Sequence, residues 1–286
     1  MHSGTGTPLV AALYVVATPI GNLRDITLRA LDVLRTADAI GAEDTRVTRQ
    51  LLEHYGIDTR PFAIHEHNEA RAAERVVELL RAGKSVALVS DAGTPAISDP
   101  GARLVLRVRA AGFRVVPIPG ASALTAALSA AGLVDDGFLF HGFLPAQSAR
   151  RKRELERLRA LACPLVFYEA PHRVRETLRD LADTLGGERQ IVIARELTKL
   201  FEAVHACALS EALAWLDADQ HRSKGEFVLV VEGARGAADA RAEEGDRVLA
   251  VLLRAVPLKQ AVQLAAEITG AKRNALYARA LQMRGG

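Results

Sequence analysis

Cysteine is nearly absent from this 286-residue chain: Cys163 and Cys207 are its only two. Neither has a second Cys or a His at metal-like spacing, which excludes a disulfide framework and a thiolate metal cluster. Both lie in or beside apolar runs and read as buried, inert thiols of a reducing compartment. Aromatic residues make up only 5%, so the core must be assembled from Val, Leu, Ile and Ala, which suits parallel strands covered by helices. No apolar run approaches the length of a membrane span. Residues 1–10 are small and polar, with neither a basic n-region nor an apolar h-region, so no signal peptide is expected and the chain is expected in the cytoplasm. Also missing are G-x-G-x-x-G and G-x-x-x-x-G-K-[ST], so neither a dinucleotide loop nor a P-loop is spelled out.

What is present is a regular alternation. Leu13–Thr18, Ala39–Glu43, Pro61–His65, Ser85–Ser90 and Arg114–Pro119 read as strands. Helix-period stretches lie between them at Arg24–Thr36, Thr45–Tyr55, Glu69–Ala82 and Ala102–Ala111, with Gly56, Gly83 and Gly112 placed as C-terminal caps. This order predicts a mainly parallel sheet with helices on both faces. A second set follows: strands at Phe138–Phe143, Leu165–Glu169, Gln190–Arg195, Ala203–Ala208 and Phe227–Glu232, with helices near Arg150–Leu161, His172–Leu185 and Ser210–Leu216. Only that last short helix separates the final two strands, so a mixed sheet is expected here. The expected organisation is a flexible tail at 1–12, an N-terminal α/β domain at 13–132 and a second α/β domain at 133–235. A linker at 236–246 follows, small, charged and without periodicity. Last comes a helix-turn-helix-like domain at 247–286, from helical patterns at Pro257–Thr269 and Asn274–Gln282.

In open α/β folds ligands bind beyond the carboxyl ends of the strands, and the candidate residues cluster at such ends. The first strand stops at Thr18-Pro19-Ile20-Gly21-Asn22, where an Asn or Asp can cap a helix beginning near Arg24. Ser90-Asp91-Ala92-Gly93-Thr94-Pro95-Ala96-Ile97-Ser98-Asp99-Pro100-Gly101 fixes an unusual backbone path and places two carboxylates at this edge. Alternatively it is a long turn with Asp99 capping the next helix. Pro117–Ser122 opens a helix at Ala123 whose amides could hold a carboxylate, or Ser122 is a plain N-cap. In Phe167–Arg173, Glu169, His172 and Arg173 could serve as base or substrate contact and Tyr168 could stack on a base; the alternative is a Glu169–Arg173 ion pair.

Glu43-Asp44-Thr45-Arg46 and His65-Glu66-His67-Asn68-Glu69 also follow strand ends. Because His65 and His67 are two apart with no third ligand at recognisable spacing, a polar substrate pocket is preferred over a metal site. Lys199, in Arg195–Lys199, could lose its proton if desolvated or steady an alkoxide if charged, although most lysines are simply solvated. Residues 149–159 carry six cations against two carboxylates, and residues 257–286 five cations against one. Each is locally +4, against +3 for the whole chain. Clustering of this kind is the footprint of phosphate-backbone binding, or else a solvated helix with i,i+4 neighbours such as Arg150–Glu154.

The segments ATPIGNLRDIT, AEDTR, HEHNE, LVSDAGTPAISDPG, PIPGAS, GFLP, FYEAPHR, RELTK, GEFVLVVEG and PLKQAVQLAAEI…NALY occur in this order. In them the chain resembles the ribosomal RNA small subunit methyltransferase I family, a branch of the tetrapyrrole methylase superfamily, from Leu13 to Leu281. The resemblance implies a tetrapyrrole-methylase-like fold of two α/β domains with a small C-terminal helical domain, S-adenosylmethionine in a cleft, and a homodimer. It also implies 2′-O-methylation of a decoding-centre cytidine of 16S rRNA in the small ribosomal subunit. Cofactor contacts carry over to Pro19, Asp91, Ala92, Gly93, Ile97, Ser122, Ala123 and Tyr168. Ala121 departs from the motif, which more often has Pro there. Lys199 and Glu169 are expected near the reacting hydroxyl, with Asp44, Arg46, His65, Asn68 and Arg173 at the nucleotide. Arg151, Lys152, Lys272 and Arg273 are expected to anchor the RNA. A tetrapyrrole-type small-molecule methylase and a non-enzymatic rRNA-binding protein are the competing expectations.

Overall fold

The computed structural model describes residues 9–65, 68–133 and 137–285. β1 (Leu13–Val16), β2 (Ala39–Ala42), β3 (Pro61–Ala63), β4 (Val86–Val89) and β5 (Val115–Ile118) form a five-stranded parallel sheet in the order β3-β2-β4-β1-β5. Between the strands lie α1 (Leu28–Thr36), α2 (Thr45–His54), α3 (Glu69–Arg81) and α4 (Ala102–Ala110), and α5 (Ala123–Ala131) follows β5.

The pleat divides each strand between two cores. Tyr14, Val16, Ala87 and Val89 pack with Ala30, Leu31 and Leu34 of α1 and Leu52 of α2. Leu13, Val86 and Leu88 pack with Val76, Val77 and Leu80 of α3 and Leu104 and Val108 of α4. Both faces of the sheet are therefore covered, as the continuous apolar strands require. Asn22 caps only a short 3-10 turn at Leu23–Asp25, through a bond from the Arg24 amide. The α-helix itself begins four residues later than expected, at Leu28, with Thr27 accepting from the Ala30 amide.

The second sheet is mixed. It orders β6 (Leu139–Phe143), β7 (Leu165–Glu169), β10 (Phe227–Val231), β8 (Gln190–Arg195) and β9 (Ala203–Ala208) as β6-β7-β10-β8-β9. α6 (Ser148–Leu158), α7 (Val174–Leu185) and α8 (Leu209–Asp217) belong to this half.

Residues 236–246, expected as a linker, lie inside a helix, α9 (Arg235–Leu252). Their Ala, Arg and Glu content supplies high helix propensity even where amphipathic period is missing. α9 joins α10 (Leu258–Thr269) and α11 (Arg273–Gly285) around a core of Leu249, Ala261, Val262, Ala265, Leu276 and Ala280.

The chain divides into two compact units. One comprises residues up to Gly132 together with Ile193–His205 and Gly225–Val228; the other comprises Leu133–Val192, Ala206–Lys224 and Leu229–Gly286. The expected domain at 133–235 is thus not one piece, because two of its segments group with the first unit, among them the one that carries Lys199. No helix among the described residues is long and apolar enough to cross a membrane.

Candidate active site

Because the first sheet is parallel, the carboxyl ends of all five strands share one edge, and their loops stand in strand order along it. Four of these loops are bonded to one another. The Thr18 and Gly93 backbones exchange bonds of 2.8 and 3.0 Å, which zips the β1 loop to the β4 loop. The Asp44 amide donates to Asp91 Oδ1 at 2.9 Å, tying the β2 loop to the other side of the same β4 loop. Thr94 Oγ1 donates to the Ala121 carbonyl at 3.3 Å, which brings in the β5 loop. Gly120 lies so close to Ala17 that a Cβ would sit 3.0 Å from the alanine methyl. Pro19, Asp91, Ala92, Gly93, Ile97, Ser122 and Ala123 thus all belong to one set of interlocked loops.

The β4 loop holds Ala96 and Ser98 at φ of 68° and 64°, in the left-handed region that non-glycine residues seldom adopt. Such conformations cost on the order of 1–3 kcal/mol each and persist where the surrounding structure over-determines them. Among the described residues the only other non-glycine cases are Glu196 and Thr198. That second strained segment meets the first loop directly: the Asn22 amide donates to Thr198 Oγ1 at 3.1 Å. Asp99 does not cap α4. The buried Glu69 does so, with one carboxylate oxygen accepting from the amides of Gly101, Arg103 and Leu104.

Asp99 belongs instead to an acidic group with Glu43 and Asp91. Burial raises the pKa of Glu43, and the Asp91 and Asp44 charges add to the rise. Burial likewise raises Asp91, with the Asp44 charge adding. Burial first, then the charges of Glu43 and Asp91, push Asp99 up to about 6. Asp44, by contrast, is held down at about 2 by the Arg46 side chain and amide. It caps α2 through the Arg46 amide at 2.8 Å, while the guanidinium folds back on the same carboxylate.

Lys199 is a fixed cation. Its Nζ lies 2.9 Å from Glu196 Oε1 and 2.7 Å from Glu226 Oε2. Burial works against the charge, but these two carboxylates outweigh it and hold the pKa above the ordinary lysine value. Of the two expected roles, proton acceptor and charge stabiliser, only the second suits a lysine in this state. Ser122 sits at the N-cap position of α5 without a side-chain capping bond, so its hydroxyl is not spent on the helix.

Comparison with known proteins shows the family. The chain is 52% identical to a Ribosomal RNA small subunit methyltransferase I from Vibrio cholerae, over 95% of this chain and 94% of that protein. It is 51% identical to that of Escherichia coli O157:H7, over 96% of each. A family model described as Tetrapyrrole (Corrin/Porphyrin) Methylases matches residues 12–213. The chain belongs to the ribosomal RNA small subunit methyltransferase I family of tetrapyrrole methylases. A second model, the RsmI C-terminal HTH domain, matches residues 239–284. A solved diphthine synthase (TM-score 0.62, 19% identity, 78% of this chain and 90% of that one) shares the fold. So does the methyltransferase CobJ (0.59, 21%, 78% and 94%).

Several residues expected at the site of this family member have structural duties instead. Glu169 is buried: one oxygen accepts from its neighbour's amide at 2.8 Å and the other from Thr177 Oγ1 at 2.5 Å. Arg173 pairs with that carboxylate at 3.2 Å and donates to the Leu144 carbonyl. The alternative of a Glu169–Arg173 ion pair is the one observed.

Arg151 is fully buried, bonded to Asp180 at 2.7 Å and to the carbonyls of Pro145 and Ala146. Lys152 pairs with Asp183 at 2.8 Å. Two cations of the basic run, Arg151 and Lys152, are thus held by acids of α7, which the local charge count could not reveal. The Asn68 side chain closes its own turn, accepting from the His65 amide and donating to the Ala63 carbonyl. His65 is exposed, while Glu66 and His67 lie outside the described residues. Tyr168 packs edge-on against Phe140 at 4.9 Å. Lys272 and Arg273 are exposed at the start of α11.

The two cysteines are half-buried rather than buried, and burial pushes the Cys207 thiol up, which keeps it protonated. Glu196 and Glu226 gained no role from the sequence. Their signal is tertiary, since only the folded loops bring them together.

Proposed function

We propose that the chain is an S-adenosylmethionine-dependent methyltransferase acting on small-subunit ribosomal RNA, at the 2′-hydroxyl of a cytidine. The observation that carries this reading is a lysine ammonium fixed against the first of four interlocked loops, two of which carry the acidic group of Glu43, Asp91 and Asp99. The chemistry of the donor set fits the cofactor. Three carboxylates that burial and mutual repulsion leave short of positive charge suit its ammonium and sulfonium. The α5 amides beside Ser122 suit its carboxylate, and Ile97 and Pro19 offer apolar surface. When bound, S-adenosylmethionine supplies a methyl group whose bond to sulfur breaks, leaving the electron pair on sulfur, as the ribose oxygen takes the carbon.

The chain's own work is then to place the hydroxyl in line and to favour negative charge on its oxygen. Positioning is worth several orders of magnitude for such a displacement, and Lys199 provides the charge while the hydroxyl proton passes to water. Asp44, Arg46 and His65, at the rim of the same edge, are assigned to the nucleotide, and Tyr168 to the cofactor. Homodimerisation is part of the proposal; light scattering should give twice the chain mass of 30.7 kDa.

Two outcomes test the assignments. Asp99 is neutral below about pH 6, so attraction for a cationic ligand appears only above it. Calorimetry should show S-adenosylmethionine binding more tightly at about pH 7 than at about pH 5. Asp99→Asn should remove that step, and a step of equal size in the variant would clear Asp99 of the role. For the RNA, Lys272→Glu with Arg273→Glu should weaken small-subunit binding and lower the salt slope of log K by roughly two, leaving cofactor affinity unchanged. An unchanged slope would place the RNA elsewhere. A tetrapyrrole-type methylase has no use for these two cations, so methyl transfer to small subunits against transfer to a precorrin separates the readings.

A further inference from the structure

Lys199 is held by more than a passing ion pair. Glu196, three residues before it, sits at φ 51° and Thr198 at φ 67°, so the turn carrying the lysine is wound into a conformation both residues resist. The turn is locked at each step. The Glu196 amide donates to the Glu226 carbonyl at 3.0 Å, and the Glu226 amide donates back to Glu196 Oε1 at 3.0 Å. The Lys199 amide closes on the Glu196 carbonyl at 3.0 Å, and the Thr198 amide donates to Glu202 Oε2 at 2.5 Å.

Two glycines make room for this. At Gly225, itself at φ +91°, a Cβ would fall 2.4 Å from the Glu196 Cγ and Cδ and 2.5 Å from its Oε1. At Gly21 a Cβ would fall 2.4 Å from Lys199 Cγ and 2.9 Å from Cε. One glycine is the seat of the carboxylate and the other is the seat of the lysine stem. All of these residues belong to the same compact unit as the five loops.

We propose that Glu196, seated on Gly225, and Glu226 are positioning residues that fix the Lys199 ammonium over Gly21, so that Lys199 serves the reaction as a permanent cation and never as the proton acceptor. This rests on the methyl-transfer function proposed above. A solvated lysine would need neither carboxylate nor either glycine. A lysine meant to accept a proton would be surrounded by apolar groups or other cations, which lower its pKa, and not by two carboxylates, which raise it. Fixed donors and charges aimed at developing negative charge need no reorganisation during reaction. The glycine seats and the strained turn provide that rigidity.

The chain has six lysines, so the full-length protein labelled at lysine Cε gives a spectrum simple enough to follow one of them, assigned by its loss in Lys199→Arg. In the wild type the Lys199 signal should stay that of the ammonium up to about pH 10. In Glu196→Gln/Glu226→Gln its midpoint should fall by about one unit or more. Turnover on small subunits at neutral pH should fall about tenfold or more, with KM and S-adenosylmethionine affinity within about twofold, and Glu196→Asp should recover part of the loss. If the double variant melts well below wild type, Glu226→Gln alone, at a mostly exposed side chain, replaces it with smaller shifts in the same directions. An unchanged midpoint or unchanged turnover in an active, folded variant overturns the proposal. Absence of methyl transfer by the wild type would instead overturn the function on which it rests.

Discussion

Replacing Lys199 with Met should lower methyl transfer to the small ribosomal subunit by about two to three orders of magnitude, the range for deleting one fixed stabiliser of developing charge. Methionine keeps an unbranched stem that fits the seat over Gly21, so the loop contacts survive and the charge alone is removed. The acidic group at Glu43, Asp91 and Asp99 lies in other loops, and S-adenosylmethionine affinity should stay within about twofold by calorimetry. Single-turnover rates isolate the loss in the chemical step. A variant that turned over at the wild-type rate would remove Lys199 from the mechanism, whatever its surroundings.

The second large effect is on stability. Asp180→Ala should destabilise the protein by about 3 kcal/mol, because it takes the hydrogen-bonded counter-charge from the buried Arg151 guanidinium and leaves it only the exposed Glu176 at 3.6 Å. Arg151 has no exposed surface. Asp180 also accepts from Ser148 Oγ at 2.8 Å and lies 3.4 Å from Lys152, so one carboxylate holds α6 to α7. The melting temperature should drop by roughly 10 °C, with little change in the salt dependence of RNA binding. Arg151→Met, which removes the buried charge itself, should cost much less. If Asp180→Ala kept its melting point but bound small subunits more weakly, Arg151 would be an RNA ligand after all.

The outcome at α6 shows where the linear chain is readable. Apolar strands alternating with helix-period segments are a local signal, and every strand of both sheets lies where that signal placed it. The loops after β1, β4 and β5 were legible for the same reason, since Pro and Gly mark a chain turning at a strand end. Charge is different. The run at 149–159 gave its count but not its neighbours, and the acids that hold Arg151 and Lys152 come from α7, about 30 residues further on. Glu169 followed the same course: its position at a strand end suggested chemistry, and only the fold shows Thr177 and Arg173 occupying it. Lys199 is expected near the reacting hydroxyl from the sequence, but as acceptor or as fixed charge alike. Its meaning comes from Gly21, 178 positions earlier, and from Glu226, 27 positions later.

The reaction itself can be read from one product. The purified chain, given small ribosomal subunits and S-adenosylmethionine labelled in its methyl group, should place label in 16S rRNA that alkali leaves within a dinucleotide. A methyl on the 2′-oxygen blocks the hydroxyl that cleaves the neighbouring phosphodiester. Label released as a mononucleotide would mean a base methyl, and no label would mean no rRNA methylation; either result would contradict the function proposed for this fold.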